Sequence, residues 1–143
     1  MHKLICSFLG AAALSSTALA ATPAAADTAL VEQALRCELG VGKAPAVAKA
    51  LKRLGAKVDA DAGKYTLPNP VRPFGMPVSV VTINTDDIEI YFSIFPGGKG
   101  ADIAKAAKLT PLGTDYTRDT QHGTLLTGLS DRTDAWLSCT VTR

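Results

Sequence analysis

The chain has 143 residues, a length suited to one domain, and 47% hydrophobic with 20% charged residues excludes a solvated disordered polymer. With 15 Lys and Arg against 13 Asp and Glu the formal charge is +2, so the totals contain neither a polybasic nucleic-acid surface nor an acidic tail.

Met1-His2-Lys3 gives a short basic start, Leu4 to Leu14 is apolar, and Ala18-Leu19-Ala20 has the small-x-small pattern a signal peptidase reads. The apolar run is 11 residues, against the ~20 that a membrane-spanning helix needs. Residues 1–20 are therefore expected to be a signal peptide, cut after Ala20, with Ala24-Ala25-Ala26 as the competing cut. Residues 21–26 are expected to be a disordered Pro- and Ala-containing lead, and 27–143 a single soluble domain, periplasmic or secreted.

Cys6 leaves with the leader, and Cys37 and Cys139 remain as an even pair. In an oxidising compartment such a pair is expected to be a disulfide, and closing a loop of roughly 100 residues contributes about 4 to 5 kcal/mol in the chain-entropy model. The alternative, a reactive Cys37 thiolate, needs a nearby His, and His122 is the only one after the leader. Two cysteines and one histidine are too few for a four-ligand zinc site, and no metal or cofactor site is expected.

Asp27 can cap a helix that carries Leu30, Val31, Ala34, Leu35 and Cys37 on its apolar face and ends at Gly40. A second helix is expected from Ala44 to Leu54, with Pro45 in its first turn and Gly55 at its end. Val47, Ala50, Leu51 and Leu54 follow helical spacing, and Lys49, Lys52 and Arg53 fall on the other side. Beyond Gly55 the period changes to two. Lys57–Asp59 and Lys64–Leu67 flank a turn at Ala60-Asp61-Ala62-Gly63, and Val78–Asn84 with Ile88–Phe95 reads as the best strand pair. In the second of that pair Ile88, Ile90, Phe92 and Ile94 are expected to face the core, and Glu89, Tyr91, Ser93 and Phe95 the other side.

Between these hairpins, Pro68 to Pro77 holds four prolines, so no regular ladder is expected there. A short helix follows from Ala101 to Leu109, stopping before Pro111. Strands are expected near Tyr116–Thr120, Thr124–Leu129 and Ala135–Thr142, with turns at Gln121–Gly123 and Ser130–Asp134 and Cys139 facing inward. No repeat of fixed period is visible. The order of elements predicts an α+β domain, an antiparallel sheet with helices packed on one face and a single disulfide.

The chemical motifs fail on inspection. Ser93 and Gly100 stand where a phosphate loop around Gly97-Gly98-Lys99 requires Gly and Ser or Thr. Asp59-Ala60-Asp61-Ala62-Gly63 places Gly63, Lys64 and Pro70 where a calcium loop needs an oxygen ligand, Gly and Glu. No Gly-x-Ser-x-Gly, His-Glu-x-x-His or Ser-x-x-Lys is present. The acids Asp86, Asp87, Glu89, Asp115, Asp119, Asp131 and Asp134 read as turn residues, as does His122, and no catalytic residue is assigned.

Two surfaces remain. Lys43, Lys49, Lys52, Arg53 and Lys57 form a basic group without an acid among them, a solvated helix face or a weak contact with the anionic envelope surface. Arg72, Phe74 and Met76 sit on the proline-stiffened loop and are residue types enriched at interface centres, so they are the expected partner-binding set. The competing reading folds Phe74 and Met76 back onto the core. The expectation is an exported binding module of the inhibitor or immunity type, docking to another exported protein such as a toxin or cell-wall hydrolase and not to nucleic acid. A small envelope-acting enzyme using His122 and turn carboxylates, and an envelope-associated structural protein, are the alternatives.

Overall fold

A computed structural model describes residues 22–128 and 134–142. The expected signal peptide, its expected cut after Ala20 and the expected turn residues 130–133 lie outside the described residues. Three helices and an eight-stranded antiparallel sheet make an α+β fold.

The first helix, α1, spans Pro23–Leu35, so residues 23–26 are helical and not a disordered lead. Thr22, not Asp27, is the cap, its Oγ1 accepting from the Ala25 N–H at 3.3 Å. Pro23 loses nothing at the first helical position, where its missing N–H has no partner, and the alanines that follow are the best helix formers. The alternative cut after Ala26 falls within this helix.

The helix ends before Gly40. Cys37 adopts a left-handed φ of 60° at the position after the cap residue Arg36. The Cys37 N–H donates to the Ala34 carbonyl and the Glu38 N–H to that of Gln33, the paired bonds of a Schellman turn. The second helix, α2 (Ala44–Arg53), ends the same way at Gly55, as its sequence predicts. The third, α3 (Gly100–Ala106), ends on Lys108 at φ 55°, well before Pro111.

The strands are β1 (Lys57–Asp59), β2 (Lys64–Val71), β3 (Val78–Asn84), β4 (Glu89–Pro96), β5 (Thr110–Leu112), β6 (Asp115–Asp119), β7 (Gly123–Gly128) and β8 (Asp134–Val141). Their order in the sheet is β1-β2-β3-β4-β8-β7-β6-β5. A helix followed by a four-stranded meander thus occurs twice, α2 with β1–β4 and α3 with β5–β8, and the last strands of the two units pair at the centre. The repeat is architectural and leaves no periodic mark on the sequence. The short β5 was not expected from its Thr-Pro-Leu composition.

Strand β2 runs through Pro68 and Pro70, against the expected break, but it does so through a register shift. Thr66 pairs with Val80 and Val71 with Val78, so four residues of β2 oppose one of β3. The prolines lack the N–H a regular ladder would need, and they occupy the bulge.

One core joins the helices to one face of the sheet. Val31, Ala34 and Leu35 of α1, Val47 and Leu51 of α2 and Ile103 of α3 pack with Val81, Tyr91, Phe95, Leu125 and Leu137. This reverses the expected faces of β4. Tyr91, Ser93 and Phe95 are the buried set, at 1%, 0% and 1% exposure, and Ile88 is 49% exposed. Both faces of β4 are apolar enough to serve as core, so alternation alone could not choose. The neighbouring strand chooses: Tyr91 stands opposite Cys139, and Cys139 is bonded to Cys37 on the helical side with a Cα–Cα distance of 5.3 Å. Ser93 is tolerated inside because its hydroxyl donates to the Leu137 carbonyl at 3.2 Å.

Candidate docking face

On the face of the sheet away from the helices, Ile90, Phe92 and Ile94 of β4 remain half-buried, as do Val80 of β3, Leu126 of β7 and Trp136 of β8. The pairing registers align them in rows. One row runs Asp59, Lys64, Thr82, Phe92, Ser138, Leu126, Thr117 and Thr110 across all eight strands. The row beside it carries Lys57, Thr66, Val80, Ile94 and Trp136, and continues on β6 with Asp115.

The centre of this face is rigid. Phe92 stacks on the indole of Trp136 with ring centroids 5.5 Å apart and planes 18° from parallel, a contact in the favourable offset range. On its other side the indole lies against Gly128, where an added Cβ would sit 3.1 Å from Cζ2. Beneath it, the buried Thr127 hydroxyl donates to the Trp136 carbonyl, which fixes β7 to β8 at this point. Antiparallel sheets that face water on one side ordinarily place polar residues there. Here the central strand offers Ile, Phe and Ile in succession.

Charge is distributed by side. Lys57 and Lys64, with Asp59 between them, lie on the β1–β2 side, and Asp115 and Asp119 on β6. The apolar centre therefore separates a basic margin from an acidic one.

The loop residues singled out by sequence lie elsewhere. Phe74 and Met76 are half-buried and pack against the core, and Arg72 is exposed. The Glu32 carboxylate of α1 accepts from the Arg72 N–H at 2.7 Å, and the Arg72 guanidinium donates to the Gly75 carbonyl at 3.3 Å, so the loop is tied to α1 and to itself. Of the basic group, Arg53 is exposed but paired with Asp27, leaving Lys49 and Lys52 as the exposed cations of α2 with no salt bridge among the described residues. The sequence showed no acid near Arg53 because Asp27 approaches it only through the packing of α1 on α2.

The titratable candidates are scattered. His122 sits in the β6–β7 turn, its N–H donating to Thr120 Oγ1 and its carbonyl accepting from the Thr142 N–H. Asp119 accepts from the Thr124 hydroxyl, and Asp134 from the Gly97 N–H. At the end of the sheet a shallow cavity of about 490 Å³ is lined by Val41, Asp87, Ile88 and Glu89 among others. Both Glu89 oxygens are already engaged, one by the Gly42 N–H at 2.6 Å and the other by the Tyr91 hydroxyl. Burial, then that hydrogen bond, pushes the Tyr91 phenol far above its ordinary range, so it stays protonated. Among the described residues no three His, Cys, Asp or Glu side chains converge as metal ligands. Among the same residues no helix is long and apolar enough to cross a membrane.

The open face does not show in the sequence because the expected alternation of β4 turns Ile90, Phe92 and Ile94 toward the core. The signal that could have found it is Cys139: once the bridge to the first helix is granted, Trp136, Ser138 and Thr140 must face away from the helices. No family model, curated protein or solved structure matches the chain.

Proposed function

We propose that this chain is an exported protein-binding domain of the inhibitor or immunity type, and that it engages its partner with the open face of the sheet. The observation that carries the reading is the stacked Phe92–Trp136 pair among half-exposed Ile90, Ile94, Val80 and Leu126. A contiguous apolar patch on a rigid element, rimmed by polar residues, is the pattern of a protein interaction site, with aromatic side chains as its anchors. Cross-strand packing holds these anchors before binding, which lowers the ordering cost. The charges specify the occupant further: a protein with an apolar protrusion, acidic where it meets Lys57 and Lys64 and basic where it meets Asp115 and Asp119. The leader-like amino terminus and the Cys37–Cys139 bridge support an extracytoplasmic setting.

The test is comparative capture followed by measurement. Wild-type protein, Phe92→Ala, Trp136→Ala and Arg72→Ala are each immobilised and exposed to the exported proteins of the source cell. The expected result is a partner retained by wild type and Arg72→Ala and lost from the two face variants. With that partner purified, each face variant should bind about 1 to 3 kcal/mol more weakly. Equal affinity for all four folded proteins would overturn the reading, and selective loss in Arg72→Ala would return the site to the proline-rich loop.

A further inference from the structure

We infer that the open sheet face is self-complementary, and that in the absence of its partner a second copy of this chain covers it. This rests on the docking reading of the same face and adds its regulation: self-association and partner binding compete.

A closed dimer that buries the same patch on both subunits has a two-fold axis in the plane of the interface. That axis runs across the strands or along them. Across the strands, β2 meets β2 and β6 meets β6, so with the axis along the row of Lys64 and Thr117, Lys64 confronts Lys64 and Asp115 confronts Asp119. Along the strands, between β4 and β8, the sheet order is reversed in the copy: β2 lies over β6, β3 over β7 and β4 over β8.

In that second arrangement unlike charges meet. Lys64 lies over Thr117, between Asp115 and Asp119 of the same strand, and Lys57 comes over β5 beside Asp115. Both contacts occur twice, once on each side of the axis. The steric relief also matches. Phe92 projects over Ser138 and Ile90 over Thr140, so bulky side chains of one copy meet small ones of the other. Ile94 over Trp136 is the large pair. Facing sheets pack ~10 Å apart with strands rotated by about 30°, and the lysine stems are long and flexible enough to follow that rotation. The dimer desolvates the apolar centre, the main favourable term, and the charges select the orientation.

A charge-reversal pair tests this with protein purified after export. One variant carries Lys57→Glu and Lys64→Glu, the other Asp115→Lys and Asp119→Lys, and the fold of each is checked by circular dichroism. Sedimentation equilibrium should find wild type dimeric, with each variant alone dissociating at least about tenfold more readily because like charges then face each other. Mixed in equal amounts, the two variants should recover a heterodimer within about threefold of wild-type affinity, since every opposed pair is again of unlike sign. The emission of Trp136, the only tryptophan in the chain, should shift to the blue on dimerisation. Wild type remaining monomeric to about 100 µM would overturn the inference. So would a dimer indifferent to both reversals, or variants that stay monomeric when mixed. A monomer that still loses its partner through Phe92→Ala defeats only the self-association. Partner binding indifferent to Phe92→Ala defeats the docking reading beneath it.

Discussion

Arg53 forks onto Asp27 across 26 positions of the chain, Nε donating to Oδ2 at 2.7 Å and an Nη to Oδ1, and this pair fastens the start of α1 to the end of α2. The hydrogen-bonded guanidinium holds the Asp27 carboxyl below its usual range, and the carboxylate in turn raises Arg53. A depressed folded-state value means that the unfolded chain takes up the proton first as pH falls. The stabilisation is therefore full above the ordinary Asp value of ~3.9 and drains away as pH falls from there through the folded value. Asp27→Asn should melt at a lower temperature than wild type at neutral pH, and the two melting curves should converge in acid. A gap that persists unchanged at low pH would show that the carboxylate charge is not what matters.

The bridge between Cys37 and Cys139 spans 102 positions and anchors the end of α1 to the centre of the sheet. Cys37 is also the residue that turns the helix off in a left-handed conformation, which glycine would adopt at lower cost. Its carbonyl is held as well, accepting from Thr120 Oγ1 at 2.8 Å. Replacing both cysteines by serine should cost about 2 to 5 kcal/mol in denaturant unfolding, and reduction of the wild type should cost as much. Unreduced, denatured protein should present no thiol from these two positions to a titrating reagent.

Gly123 begins β7 opposite Val141 of β8. A Cβ added there would collide with the Thr140 carbonyl oxygen and stand 2.9 Å from Val141 Cα, both backbone atoms that cannot swing aside. Gly123→Ala should therefore destabilise by ~2 kcal/mol or more, a cost of overpacking and not of lost flexibility. Gly97, with open space around its Cβ position, also has a left-handed φ of 69°. Gly97→Ala should cost only ~1 kcal/mol, the price of that conformation. Chemical denaturation of the two variants separates the mechanisms.

What could be read from sequence was what depends on neighbours in the chain. Gly55 marked the end of α2, Val78–Asn84 had its strand alternation, and Cys37 and Cys139 both fell on inward faces. What could not be read depends on register and tertiary approach. Ile90, Phe92 and Ile94 look like core until β8 is placed beside them, and Asp27 looks like a cap until α2 brings Arg53 to it. Lys108 and Cys37 end helices without the glycine that announces such an end, because following residues lock the turn through the Leu109 to Ala104 and Glu38 to Gln33 bonds. The open face was hidden for the same reason as the true core of β4: two apolar faces, one of which is decided only by a neighbouring strand.

Phe74 and Phe92 are both half-buried, yet they should respond differently to truncation. Phe74 packs against the core beside Met76, at the tip of a loop that Glu32 ties to α1. Its removal withdraws apolar surface from the folded state and opens a gap under the loop, so Phe74→Ala should cost ~2 kcal/mol of stability, below the 3 to 5 of a fully buried Phe. Phe92 contributes its stack on Trp136, worth ~1 kcal/mol beyond area, on a face that water can still reach. Phe92→Ala should therefore be the milder change for folding and the more severe one for binding. Thermal melts of both variants, set beside their affinity for the captured partner, check the crossing. If Phe74→Ala melts like wild type while abolishing binding, the loop carries the interface and the sheet face does not.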